Sequence, residues 1–320
     1  MMISRQAWEV YFQTHRAARE ALGWGRGSEL EPLGRGVYNQ AFLLQVPGKP
    51  SRVLRLGLEG NDLAARVARE AAVLAHLSGF GVTAEPLWFE PTGPGESPLL
   101  VMEFLPGREL DYRGSDLQMA AELYSRLHAV PGPFPVQVRR DEHPVRSFLE
   151  ESRSRIERYD RWPDRDEKVS RILEAALRRL RRSDFPVDRP VLVHGDAAFN
   201  NWRLAEQGAR LIDWDDCLVT TCAADLAQFL SPVTVRRYRD RRLTPEEREE
   251  FLRHYFGTRA DRRAVRHELK RLLPAMVLRS LSWVAGRVAD LSDLGLEPTP
   301  CLLRQLQPAF LEELIAQRLL

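Results

Sequence analysis

Two short apolar runs, VLVHG from Val191 and ARLIDW from Ala209, stand on either side of a polar loop, DAAFNN. Runs of this length, bounded by Gly, Asp and Asn, read as short buried strands flanking a loop. The first delivers Asp196 and the second delivers Asp213. A carboxylate at a strand end is held by a rigid scaffold and stays open to a ligand. The loop also carries Asn200 and Asn201, two of only four asparagines in the chain; the others are Asn39 and Asn61. The chain favours arginine heavily, since Lys49, Lys168 and Lys270 are the only lysines among 47 basic residues. Residues that run against such a bias are less readily filler, so the paired asparagines carry weight.

Around this feature the texture divides in two. An amphipathic N-terminal helix is followed by strand-like pieces at Leu33 to Gly36, Gln40 to Val46 and Arg52 to Leu56, separated by Gly and Pro. Leu63 to Leu77 has apolar residues at helical spacing, and Ala84 to Glu90 and Pro98 to Leu105 read as two further strands. That order predicts a small antiparallel sheet with one helix against it. From Pro106 onward the apolar period is mostly helical, clearest in LQMAAELYSRLHAV, HPVRSFLEESRSRIERY and EKVSRILEAALRRLRR, and again from about Glu246. The expected class is α+β, with residues 1–104 carrying the sheet and residues 105–320 mostly helical.

Charge and cysteine content narrow the partners. The 47 basic and 45 acidic residues leave a formal net charge of +2. The arginine clusters Arg178 to Arg182 and Arg236 to Arg242 do not alternate with aromatics and read as solvated helix faces, so no nucleic-acid partner is expected. The N-terminus lacks an apolar signal core, and the apolar stretch LLPAMVLRSLSWVAGRV is interrupted by Arg279 and Arg287. No membrane partner and a cytoplasmic location are expected. Cys217, Cys222 and Cys301 neither frame a disulfide scaffold nor match a zinc site, and read as small core residues.

The opening loop carries the chemistry. A carboxylate and an amide oxygen are hard ligands that suit Mg²⁺, which keeps several waters and binds phosphates. A second carboxylate, free of the metal, can accept a proton from an attacking hydroxyl. HGDAAFNN, His194 to Asn201, fits the pattern H-x-D-x-x-x-x-N of phosphoryl-transfer catalytic loops.

Together with LIDWDD at Leu211 to Asp216, ADLA at Ala224 to Ala227 and LHAV at Leu127 to Val130, these residues make the chain resemble the aminoglycoside phosphotransferase and choline kinase superfamily of small-molecule kinases. The resemblance runs from about Leu33 to Phe229. It implies a two-lobed protein-kinase-like fold, with a small antiparallel-sheet N-lobe and a mostly helical C-lobe. It implies Asp196 as the catalytic base, Asn201 and Asp213 as Mg²⁺ ligands, His194 as loop support, and Asp225 as an anchor from the next helix. Relatives usually carry Gly at the place of Asn200, so a left-handed turn is expected there. Cys217 to Ala223 departs from the Gly-Asp-Pro type turn common in relatives and is expected to shape a substrate-side loop.

The implied donor is ATP, with GTP possible. No G-x-x-x-x-G-K-[ST] occurs, so Gly34 and Gly36, in the LGRGVYNQAF hairpin, are the candidates to lie over phosphates. Arg55 takes the strand position where protein kinases use lysine, with Glu70 on the following helix as its partner; Arg binds phosphate bidentately and stays charged. Main-chain groups of Glu103 to Leu105, in the connector VMEFLPG, would bond adenine. Trp214, Trp283 and Tyr255, beside Asp196, Asp213, Asp215 and Asp216, would suit a cationic alcohol. Arg279 and Arg287 would favour an anionic one. The expected activity is Mg²⁺-dependent transfer of the γ-phosphate to a small-molecule hydroxyl, on an aminoglycoside, another antibiotic, a choline-like alcohol or an amino alcohol. The alternatives are a non-catalytic nucleotide-binding regulator on the same fold and a protein kinase; the missing D-F-G and A-P-E count against the latter. The acceptor and the oligomeric state stay open.

Overall fold

The computed structural model describes residues 5–35, 39–57, 63–239 and 241–320. The chain forms two compact units. One comprises Met1–Arg108, Pro133–Val138 and Trp202–Asp216; the other comprises Glu109–Gly132, Arg139–Asn201 and Cys217–Leu320.

In the first unit, α1 (Arg5–Thr14) and α2 (Arg16–Leu22) precede β1 (Glu29–Arg35), β2 (Asn39–Gln45) and β3 (Arg52–Gly57). Helix α3 (Leu63–Leu77) follows, then β4 (Pro86–Glu90) and β5 (Leu99–Glu103). The strands form one antiparallel sheet in the order β1-β2-β3-β5-β4. In β2 alternate residues Gln40, Phe42 and Leu44 turn inward, the period that makes one face of a sheet apolar. Phe42 and Leu44 meet Leu54 and Leu56 of β3 and the α1 aromatics Trp8 and Phe12. Trp8 stacks on Phe12 with ring centroids 5.7 Å apart and sets its edge to Phe42 at 5.3 Å. The expected sheet and helix are present, with α3 spanning Leu63–Leu77 as its apolar spacing predicts.

The hairpin Trp202–Ala205/Gly208–Leu211 also belongs to this unit. Leu211 N–H donates to the Val82 carbonyl at 2.9 Å, and Thr83 Oγ1 donates to the Leu211 carbonyl at 2.9 Å. Trp214, fully buried, donates from Nε1 to Thr83 Oγ1 at 2.8 Å. These bonds hold Asp213 beside the sheet.

The second unit is helical: α4 (Ser115–Leu127), α5 (Pro144–Asp160), α6 (Glu167–Leu180), α7 (Ala223–Leu230), α8 (Pro232–Tyr238), α9 (Pro245–Phe256), α10 (Arg262–Asp293), α11 (Pro300–Gln305) and α12 (Pro308–Ala316). Helix α10 packs on α5 and α7, and α4 packs on α9. Between them, the rings of Phe229 and Phe251 stack at 4.3 Å. By length and composition α10 could cross a membrane, yet 67% of its most apolar window is buried inside the protein, as in a core helix. A small sheet completes the unit: Leu218–Thr220 pairs antiparallel with Val191–Val193 and parallel with Arg139–Arg140. The segment expected as a substrate-side loop, Cys217 to Ala223, thus contains a buried central strand.

The two arginine clusters differ. Arg178 to Arg182 is largely exposed, as expected. Arg236 to Arg242 is not a solvated face. Arg236 lies 4.2 Å over the Phe310 ring and Arg237 3.8 Å over Trp283, while Arg239 donates to the Leu110 carbonyl at 2.9 Å. Guanidinium planes stack on rings and still reach carbonyls, so these arginines act as internal ties.

Candidate functional site

Each unit contributes a cluster of the residues singled out from the sequence. In the first unit the centre is Arg55 on β3, 7% exposed. Its Nη1 donates to Glu70 Oε1 of α3 at 2.8 Å, and its Nη2 donates to Asp213 Oδ1 at 2.8 Å. Asp215 Oδ2 lies 3.8 Å from the same Nη2 and 3.3 Å from Arg66. With the Asn39 amide turned so that its oxygen faces the guanidinium, Arg55 Nε also donates to it, at 3.0 Å. Strand β3 and helix α3 place the arginine and the glutamate face to face, as the sequence predicts; Asp213 as a third partner is an addition.

Burial pushes the Glu70 carboxyl up to about 7; Arg55 pulls the other way, and Asp213 and Asp215 add to the rise. For Arg55 burial opposes the charge, but Glu70, Asp213 and Asp215 outweigh it and the guanidinium stays ionised. Asp213 has φ of +68°, a left-handed backbone uncommon outside glycine, asparagine and aspartate. Such conformations persist where the surroundings dictate them, and here the Arg55 bond and the buried Trp214 do so.

The nucleotide-side candidates fall as follows. Gly34 sits at a register irregularity of β1, exposed, and an added Cβ there would meet nothing. Gly36 lies outside the described residues. Glu103 N–H is committed to the Glu85 carbonyl at 2.9 Å and Phe104 N–H to Ser51 at 3.2 Å. The Glu103 carboxylate accepts from Arg210 at 3.0 Å. Leu105 N–H has no hydrogen-bond partner among the described residues, and its side chain is buried. Of the three connector residues, Leu105 is therefore the one with a main-chain donor to offer.

In the second unit the strand Val191–Val193 ends at His194, and Gly195 makes the turn with φ of +78°, which needs no Cβ. Asp225, fully buried on α7, accepts from His194 N–H at 2.9 Å and from Gly195 N–H at 3.0 Å. His128 Nε2 lies 3.2 Å from the same carboxylate, and its Nδ1 lies 3.0 Å from Tyr255 Oη. Burial alone would raise the Asp225 pKa, but the hydrogen bonds and the two histidines prevail and hold it below the usual range. A buried carboxylate so satisfied is a rigid peg for the loop.

Past this peg, Asp196 presents an exposed carboxylate. Its N–H donates to His194 Nδ1 at 3.3 Å, which makes the buried His194 a support. Its carbonyl accepts from Ala198 N–H and from Asn201 Nδ2, both at 2.8 Å. Phe199–Asn201 is a single 3₁₀ turn. Asn200 is thus in a right-handed turn, not the left-handed one expected, and its Nδ2 donates to Asn201 Oδ1 at 3.2 Å. One more residue touches Asp196: Gln228 of α7 donates from Nε2 to Oδ1 at 3.2 Å. Sequence reasoning missed Gln228; its one signal is a position three residues after Asp225, on the same helix face.

The aromatics weighed for an acceptor surface are otherwise employed. Trp214 and Tyr255 are fully buried, and Trp283 is covered by Arg237. Arg279 is tied to Glu151 at 2.7 Å. No three His, Cys, Asp or Glu side chains form a metal-holding group among the described residues. Asn201 and Asp213 nonetheless supply one neutral and one anionic hard oxygen; the Asp213 side chain is 45% exposed, and Arg55 engages only its Oδ1 among the described residues. That donor chemistry fits Mg²⁺, which is commonly held by one or two protein oxygens together with phosphates.

A family model described as the phosphotransferase enzyme family matches residues 29–267. No curated protein matches the chain. Among solved structures, the GDP complex of an aminoglycoside 2′-phosphotransferase variant superposes with a TM-score of 0.65 at 15% identity, covering 98% of each chain. A choline kinase from Cryptosporidium parvum gives 0.62 at 15% identity, covering 92% of this chain and 91% of its own. A spectinomycin phosphotransferase, solved with ADP and spectinomycin, gives 0.61 at 16% identity, covering 91% and 93%. At these identities the likeness establishes the fold: kinase-like, with a sheet-bearing N-terminal region and a helical C-terminal region.

Proposed function

The chain belongs to the phosphotransferase enzyme family, and from that premise we propose that it moves the terminal phosphoryl group of a nucleoside triphosphate, ATP or GTP, to a hydroxyl of a small molecule. The observation that carries this reading is the Asp196 loop. An exposed carboxylate stands on a turn pinned by buried Asp225, with Asn201 bonded to its carbonyl at 2.8 Å. Asp196 accepts a hydrogen bond from the acceptor hydroxyl and takes its proton as the hydroxyl oxygen bonds to phosphorus. The bond from that phosphorus to the bridging oxygen breaks, and the nucleoside diphosphate leaves. Arg55 keeps Asp213 aimed, and of its five N–H groups one on Nη1 has no partner among the described residues and is the donor for a phosphate. Leu105 N–H is the donor for a base. Asn201 and Asp213 would hold Mg²⁺, which supplies charge neutralisation on the phosphates when bound.

The direct test is ADP release on a panel of aminoglycosides, basic peptide antibiotics, choline, ethanolamine, homoserine and sugars. At least one acceptor should stimulate release, and Asp196→Asn should lower turnover by roughly 10²-fold or more while nucleotide binding by calorimetry persists. Full turnover in Asp196→Asn removes Asp196 from the chemistry.

A further inference from the structure

Gln228 is 8% exposed, and its amide is satisfied on one side only. Nε2 donates to Asp196 Oδ1 at 3.2 Å, while Oε1, also buried, has no hydrogen-bond partner among the described residues. A buried acceptor left unpaired keeps the full desolvation penalty of the group. Turning the amide over would set its oxygen against the Asp196 carboxylate, two acceptors in contact. The fold thus keeps an unpaired oxygen in order to keep an N–H on Asp196, and a hydrogen bond to an ionised carboxylate is among the stronger ones.

The same helix does two jobs. Asp225 grips the backbone of His194 and Gly195, and Gln228, one turn later on the same face of α7, grips the side chain that this backbone delivers. The Asp196 peptide is fixed separately, by His194 Nδ1, Ala198 N–H and Asn201 Nδ2. Those bonds involve the main chain of Asp196 and set where the residue sits, whereas the Gln228 bond is made to the carboxylate itself.

We propose that Gln228 is a positioning residue that holds the Asp196 carboxylate in one orientation toward the acceptor hydroxyl. This role rests on the proposed phosphotransferase activity and acts through Asp196. A misaimed base affects the chemical step far more than binding, and displacements near 1 Å can cost about 10²-fold.

The test uses Gln228→Met, which keeps the shape and removes both polar atoms, on the full chain with MgATP. The acceptor is the one the panel returns, or water if no alcohol accepts. The expected result is a kcat about 10- to 100-fold lower, with KM for ATP and for acceptor within about twofold. The melting temperature should hold or rise, since the unpaired oxygen is gone. In an Asp196→Asn background the same change should cost nothing more, because the group it aims is already disabled. Additive losses, or an unchanged kcat, overturn the proposal. Crystal structures of the wild-type and Gln228→Met proteins read the orientation without any activity. An Asp196 carboxylate that keeps one ordered rotamer in the variant also overturns it. A wild-type protein with no turnover, but whose Asp196 rotamer is lost in Gln228→Met, refutes the phosphotransferase reading and leaves the positioning role standing.

Discussion

Glu70 is a carboxylate with a guanidinium 2.8 Å away and almost no solvent. Its carboxyl, near 4.5 when exposed, titrates at about 7 in the fold because burial outweighs the pull of Arg55. Between those two values the folded chain holds a proton that the unfolded chain has released. Stability from this group is therefore complete below 4.5, declines as the pH rises toward 7, and is flat beyond. Glu70→Gln should flatten the melting temperature over that window, and an unaltered slope would show that Glu70 is ionised throughout. How a residue became visible in the sequence also differs by residue. Asp196 and Asn201 are legible because their partnership spans five positions of one loop. The Arg55–Glu70 pair is legible because a strand and the next helix place both. Gln228 was silent, since a lone amide on a helix has no pattern, and Asn200 misled because its side chain serves its neighbour more than its own backbone.

Among the elements, α7 bears the most consequence per residue. Asp225 satisfies two backbone N–H groups and His128, and Asp225, His194 and His128 all lie out of water. Asp225→Asn keeps one acceptor and loses the charge, so the loop should loosen and stability should drop by about 3 kcal/mol, read from the urea midpoint at constant m. A shift under about 0.5 kcal/mol would mean that the loop holds without this peg. Helix α3 was legible to the residue because its apolar spacing repeats for four turns. The strand Leu218–Thr220 was not: three residues, all buried, show no alternation, and the pairing that defines it comes from distant segments. The partial burial of the Arg236 to Arg242 cluster is hidden from the sequence for a related reason, since the rings that receive Arg236 and Arg237 lie on other helices.

For the molecule as a whole, chain order and spatial grouping part company. The apolar period separates a sheet-bearing stretch from a helical one, but it does not display that Trp202–Asp216 joins the first unit. Without that hairpin, Val82 and Thr83 lose their partners, the slot filled by Trp214 empties, and Arg55 keeps Glu70 but loses Asp213. A fragment ending at Arg108 should therefore be molten, with far-ultraviolet dichroism present, near-ultraviolet dichroism weak and a dye for apolar surface bound. A fragment with a sharp cooperative melt would show that the hairpin is dispensable. The same arrangement bears on how the protein is made. On the ribosome the N-terminal sheet emerges early, yet the stretch that completes it is not available until residue 216 has been translated. In the interval Thr83 and its surroundings wait with an open seam, so a pause in synthesis before that point prolongs the stage at which a chaperone has most to guard.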